Sequence, residues 1–197
     1  MRLMTHAVAA IATLAALIGA GADASATTVL QVDVAAMTGT SEWVVNARVL
    51  AVDDVDLRAQ GGGLATDITL SIDEVYKGDA TTPRRYVLRL PGGHGRDGLA
   101  MVIPGMPRFT VGERVVLFLE KTSRGHIPCG LGQGVWRVRS DPHGRAWVEQ
   151  SAQTLHMVKR GPGGRLVNER APQLSGAKSL AELVQEIDEA QRRATSH

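Results

Sequence analysis

The chain has 197 residues, 22 Lys and Arg against 20 Asp and Glu, a formal charge of +2, and 44% hydrophobic residues. This near balance, with basic residues scattered among acids, argues against a dedicated polyanion or nucleic-acid binder. The length suits one compact domain with a tail, and the single cysteine, Cys129, rules out an internal disulfide framework.

The first 26 residues read as a secretory leader: Arg2, an apolar run over residues 7–18, then Ala24-Ser25-Ala26 as the small-x-small cleavage pattern. Thr27 is the expected first residue of the exported chain. The run holds about twelve residues, short of the roughly twenty of a membrane span. No second run of that length follows, and no cysteine stands at the cleavage region to take a lipid. The expectation is a soluble, periplasmic or secreted protein with no membrane span. Absence of a disulfide and of any N-x-Ser/Thr site fits a bacterial host.

Residues 27–31 read as an edge strand and residues 34–37 as one helical turn. Residues 43–52 alternate, with Val45, Ala47, Val49 and Ala51 on one face and Val44, Asn46, Arg48 and Leu50 on the other. Asp53, Asp54, Asp56 and Gly61-Gly62-Gly63 read as a polar flexible connection. Residues 66–76 form the clearest strand, with Ile68, Leu70 and Ile72 together; the slip of phase to Val75 predicts a bulge near Asp73-Glu74. Tyr86, Leu88 and Leu90 mark the next strand.

Residues 91–112 form a long Gly- and Pro-rich excursion with a short strand predicted at residues 99–102. Val115 to Leu119 is apolar throughout, as a strand covered on both faces requires. Residues 135–139 and 146–148 make a hairpin around Asp141-Pro142-His143-Gly144. Residues 151–178 lack periodicity and read as a flexible connection. The chain closes with a helix over residues 179–193: Ser179 and Glu182 form a capping box, and Leu180, Leu183, Val184 and Ile187 share a stripe. A lone helix of this length is marginal in water, so the stripe must dock, by preference on its own domain.

No catalytic, cofactor or metal site is assigned. Gly93-His94-Gly95-Arg96-Asp97-Gly98 matches G-x-G-x-x-G, but Pro104 and Pro107 deny it the helix that a pyrophosphate needs. His94 with Asp97, and His126 with Cys129, are isolated pairs where zinc takes three or four ligands. Ser123, Ser140 and Ser151 sit in turn-like sequence, without a nucleophile elbow. Cys129 reads as a small buried thiol.

The order of motifs carries a resemblance: alternating residues 43–52, V-Y-K-G at residues 75–78, residues 85–90, G-E-R-V-V-L-F-L at residues 112–119 and G-Q-G-V-W-R-V at residues 132–138. This stretch resembles the netrin-like, or tissue-inhibitor-of-metalloproteinase-like, OB domain. The resemblance implies a mainly β fold: a small, partly open antiparallel Greek-key barrel over residues 27–150, carrying the C-terminal amphipathic helix, in a fold used for binding. The inhibitors of that family chelate zinc through an amino-terminal cysteine. Thr27 stands there instead, so that mechanism is not implied.

The leading expectation is a non-enzymatic module that binds an extracytoplasmic protein or other partner through its loops. The excursion carries the expected contact residues: His94, Arg96, Asp97, Met101, Met106 and Arg108, a mixture of charge and adaptable apolar surface. One alternative is a hydrolase or metal enzyme using His94, Asp97, His126 and Cys129, which requires those side chains to converge. Another is a diverged protease inhibitor, which requires an exposed ordered edge at residues 27–32.

Overall fold

In chain order the elements are β1 (Thr28–Leu30), α1 (Val34–Thr40), β2 (Trp43–Asp56), β3 (Leu64–Lys77), β4 (Arg85–Pro91), β5 (Gly93–His94), β6 (Ala100–Met101), β7 (Arg114–Thr122), β8 (Gly125–Pro128), β9 (Val135–Ser140), β10 (Ala146–Gln150), β11 (His156–Arg160), β12 (Leu166–Asn168), β13 (Lys178–Ser179) and α2 (Leu180–Thr195). They come from a computed structural model that describes residues 28–151, 156–160, 166–168 and 178–196. The expected leader lies outside the described residues.

The long hairpin β2–β3 organises the fold. Asp53, Asp54 and Asp56, expected in a flexible connection, belong instead to β2, where they pair with Asp67, Thr66 and Leu64. The ladder continues because Leu64, Ala65 and Ile68, on the facing strand, are buried. The expected bulge is present: Asn46 pairs with Glu74 and Ala47 with Ile72, leaving Asp73 extra. Further shifts follow Val44 and Val49, and such bulges bend a strand and raise its twist.

β4 extends this sheet beyond β3, and β7 lies on the other side of β2, giving the order β7-β2-β3-β4. The outer edge of β7 is shared: β9 pairs along Arg114 to Leu117, and β8 along Leu119 to Thr122. β10 and β13 continue outward from β9. The sheet curls until β4 and β8 are neighbours. No ladder joins them, so the expected barrel is replaced by a curled, open sheet. At the β4–β8 seam the strands are joined by side chains, Tyr86 Oη meeting His126 Nδ1 at 2.9 Å.

The inner face of the sheet is covered, and the outer face is covered over part of its width. Inside the curl, Val45, Val49, Leu70, Leu88, Leu117 and Val135 form one core. On the outside, Val44, Phe118 and Trp136 pack with Val34 and Met37 of α1 and with Leu183 and Ile187 of α2. β7 is therefore buried on both faces, as its unbroken apolar run predicts. The outward face of β2 is also partly covered, and Val44 and Asn46 are fully buried.

Both helices start where their sequence allows. Asp33 accepts from the Ala36 amide at 2.7 Å, and Ser179 with Glu182 completes the capping box. Docking of the C-terminal helix on its own domain follows from Leu183 and Ile187, both wholly buried and worth about 2 kcal/mol each. Within the expected flexible connection, the described residues form β11 and β12. β11 pairs with β1 in parallel and with β12 antiparallel; the rest of that stretch lies outside the described residues.

Candidate functional site

The Gly- and Pro-rich excursion is a structured flap, anchored at each end. It leaves β4 through Gly92, whose amide donates to Leu64 O at 2.9 Å and whose carbonyl accepts from Thr66 Oγ1 at 2.9 Å. Its middle is fixed by Gly132 N donating to Gly105 O at 3.1 Å, and its end by Gly112 N donating to Val49 O at 2.8 Å. β5 and β6 pair inside it, realising the predicted short strand at Ala100 and Met101. Gly93 is required: its φ is +140°, and a Cβ there would lie 2.6 Å from Asp54 Oδ1 and 2.8 Å from Ala65 O.

Between flap and sheet lies a cleft of about 260 Å³. Val52, Ile68, Leu90 and Phe109 contribute apolar floor, while Met101, Val102, Ile103 and Met106 line it from the flap. Asp54, Thr66, His94 and Arg108 supply its polar groups. An apolar hollow with a few placed polar groups is the usual form of a binding site.

His94 Nδ1 is hydrogen-bonded to Asp54 Oδ2 at 3.0 Å. Burial works against ionisation of Asp54, yet hydrogen bonds from His94 and Thr66 outweigh it and lower its pKa. The cleft thus carries a fixed carboxylate beside an exposed imidazole. Arg108 is held through its main chain, whose carbonyl accepts from Arg137 Nη2 at 2.8 Å. Arg137 is itself paired with Glu113 at 2.8 Å.

Of the predicted contact residues, His94, Met101, Met106 and Arg108 line this cleft. Arg96 and Asp97 lie in a neighbouring hollow with Asp56 and Arg58. There Arg58 bridges Asp56 at 2.6 Å and Asp97 at 2.9 Å. Hydrogen bonds from Arg58 hold the Asp56 carboxyl at about 2. Sequence reading missed Asp54, Thr66 and Phe109, although Asp54 opposite Thr66 follows once the β2–β3 register is known.

The residues named for an enzyme do not converge. His94 pairs with Asp54 and Asp97 with Arg58. Cys129 is buried, its Sγ 3.2 Å from Ser41 Oγ and 3.4 Å from Thr40 Oγ1. His126 lies at the β4–β8 seam, bonded through Nε2 to Glu42 at 2.6 Å and through Nδ1 to Tyr86 Oη at 2.9 Å. Among the described residues, no group of three or more His, Cys, Asp or Glu is placed to hold a metal ion.

The G-x-G-x-x-G stretch leads into β6 and not into a helix. In the amino-terminal segment β1 pairs with β11, and the buried Gln133 side chain clamps it by accepting from Val32 N at 2.9 Å and donating to Leu30 O at 3.0 Å, while the Leu30 side chain is exposed. Among the described residues, no helix is long and apolar enough to cross a membrane. No family model, curated protein or solved structure matches this chain.

Proposed function

We propose that the chain is an exported, soluble, non-enzymatic β module that binds an extracytoplasmic protein or other partner through the flap, with the cleft receiving an apolar group of that partner. The observation that carries this reading is the meeting of Met101 and Met106 with His94 and Arg108 around one apolar hollow. Methionine walls adapt to varied shapes, while Asp54, His94 and Arg108 give a rim that sets orientation. The order β7-β2-β3-β4, with a fourth strand returning beside the first, supports counting the curl as an opened OB-like Greek key of the netrin-like type.

The test is site-specific photo-crosslinking in the exporting host. A photoreactive residue at Met101 should trap one discrete adduct, and Met106→Glu should abolish it. The same probe at Arg124, in the turn between β7 and β8, should trap none. Equal adducts at both positions, or none at Met101, would overturn the reading. Amino-terminal sequencing of the exported chain should begin at Thr27.

A further inference from the structure

We infer that Arg48, Ser71 and Arg85 form a binding site for a tetrahedral oxyanion of the phosphate type on the outer face of the sheet, away from the cleft. The site emerges from strand register. Arg48 on β2 stands directly opposite Ser71 on β3, and Ser71 directly opposite Arg85 on β4. Directly opposed residues point to the same face with Cβ atoms about 5 Å apart, so two arginines flank one hydroxyl in a line across three strands. That face is the outer one, because the alternating neighbours Ala47, Val49, Leu70, Ile72, Tyr86 and Leu88 turn inward to the core.

The charges at this row are not neutralised. Among the described residues, no carboxylate lies within 4.0 Å of Arg48 or Arg85, and both are exposed. The contrast lies on the same strand: Arg89, two steps along the same face of β4 beyond Val87, is clasped by both oxygens of Asp67 at 2.6 Å. On the other side, Arg48 faces Arg114, and directly opposed like charges destabilise a sheet. Arg114 leans to Asn46 Oδ1 at 3.2 Å, and Glu74, the carboxylate that feels the Arg114 charge, is engaged by Tyr76 at 2.6 Å and Asn46 at 3.1 Å. An oxyanion over Ser71 offsets this repulsion and accepts hydrogen bonds from two guanidinium forks and from the Ser71 hydroxyl. The overall charge of +2 conceals the cluster, because the compensating acids sit elsewhere.

The experiment is titration of the full-length isotope-labelled protein with inorganic phosphate at low salt, read by NMR. The expected result is a saturable shift confined to Arg48, Ser71, Arg85 and their neighbours, not reproduced by chloride at equal ionic strength. Arg48→Gln with Arg85→Gln should weaken binding about tenfold, the loss of two exposed charge-assisted contacts, with a melting temperature no lower than that of the wild type. Arg89→Gln should leave it intact. Equal binding by the double variant, or shifts spread over all arginines, would overturn the site.

A second arm identifies the source of the phosphate. Co-sedimentation with phosphatidylglycerol but not phosphatidylcholine vesicles, lost in the double variant, identifies a lipid headgroup. Saturable phosphate shifts without co-sedimentation identify a soluble phosphoryl ligand. In either case Arg48 and Arg85 are required.

Discussion

His126 lies flat against Trp43, their ring centroids 3.9 Å apart and their planes 23° from parallel. Its nitrogens reach Glu42 and Tyr86, so one imidazole ties β8 to the start of β2 and to β4. This contact spans the seam that no β ladder closes. With a side chain only 9% exposed, it acts as a structural rivet.

Replacing that rivet should be costly. His126→Ala is expected to destabilise the fold by about 2 kcal/mol, through lost ring packing against Trp43 and the half-buried Tyr86 hydroxyl left without its partner. His126→Phe keeps the stack and should recover part of the loss. Urea denaturation checks both; an alanine variant within 0.5 kcal/mol of wild type, the range of about ±0.5 kcal/mol typical of surface substitutions, would contradict the assignment.

The seam also gives a pH dependence. The Lys121 hydrogen bond first, and the His126 hydrogen bond second, lower the Glu42 pKa from its ordinary 4.5. A carboxyl whose folded pKa is depressed contributes stability above its unfolded value and loses it as the pH falls through the folded one. The stability difference between wild type and Glu42→Gln should therefore be constant above pH 4.5 and shrink below it. A difference that persists unchanged in strong acid would show that Glu42 is not the group responsible.

Gln133 is wholly buried, and its side-chain amide bonds the main chain of Leu30 and Val32. Gln133→Ala leaves a donor and an acceptor unmet, which costs about 2 kcal/mol. Amide exchange at Val32 should accelerate more than at Val116, in the centre of β7. Equal protection in both proteins would remove the clamp.

Gly93→Ala puts a methyl group into Asp54 and the Ala65 carbonyl, at a φ that alanine avoids. A loss of about 1–3 kcal/mol is expected from such strain. The Asp54–His94 contact should open with it, so the Asp54 carboxyl should titrate closer to its ordinary value of 3.8. Carbon-detected NMR titration of the side chain reads this directly.

Cys129 is 3% exposed and lies between the sheet and α1. Cys129→Ala should cost about 1 kcal/mol, and a bulky thiol reagent should label the native protein only at the rate of unfolding. Rapid stoichiometric labelling would place the thiol at the surface instead.

What was legible in the sequence was what acts over a few residues. The alternation of Ile68, Leu70 and Ile72, the unbroken run from Val115 to Leu119, the bulge at Asp73 and the Ser179–Glu182 capping box all report local backbone geometry, and all are present. The flap was visible as a Gly- and Pro-rich break, and Met101 and Met106 as its adaptable surface.

Tertiary structure alone decided which distant segments meet. Asp54 reaches His94 because β2 runs four residues past its apolar part, and Val44 and Asn46 are buried because helices before and after the sheet cover its outer face. Arg48, Ser71 and Arg85 align only through two independent registers. The division of β7 between β8 and β9 belongs to the same class. Side-chain period fixes which face a residue takes, but the partner across that face is chosen by total burial and hydrogen bonding over the whole chain.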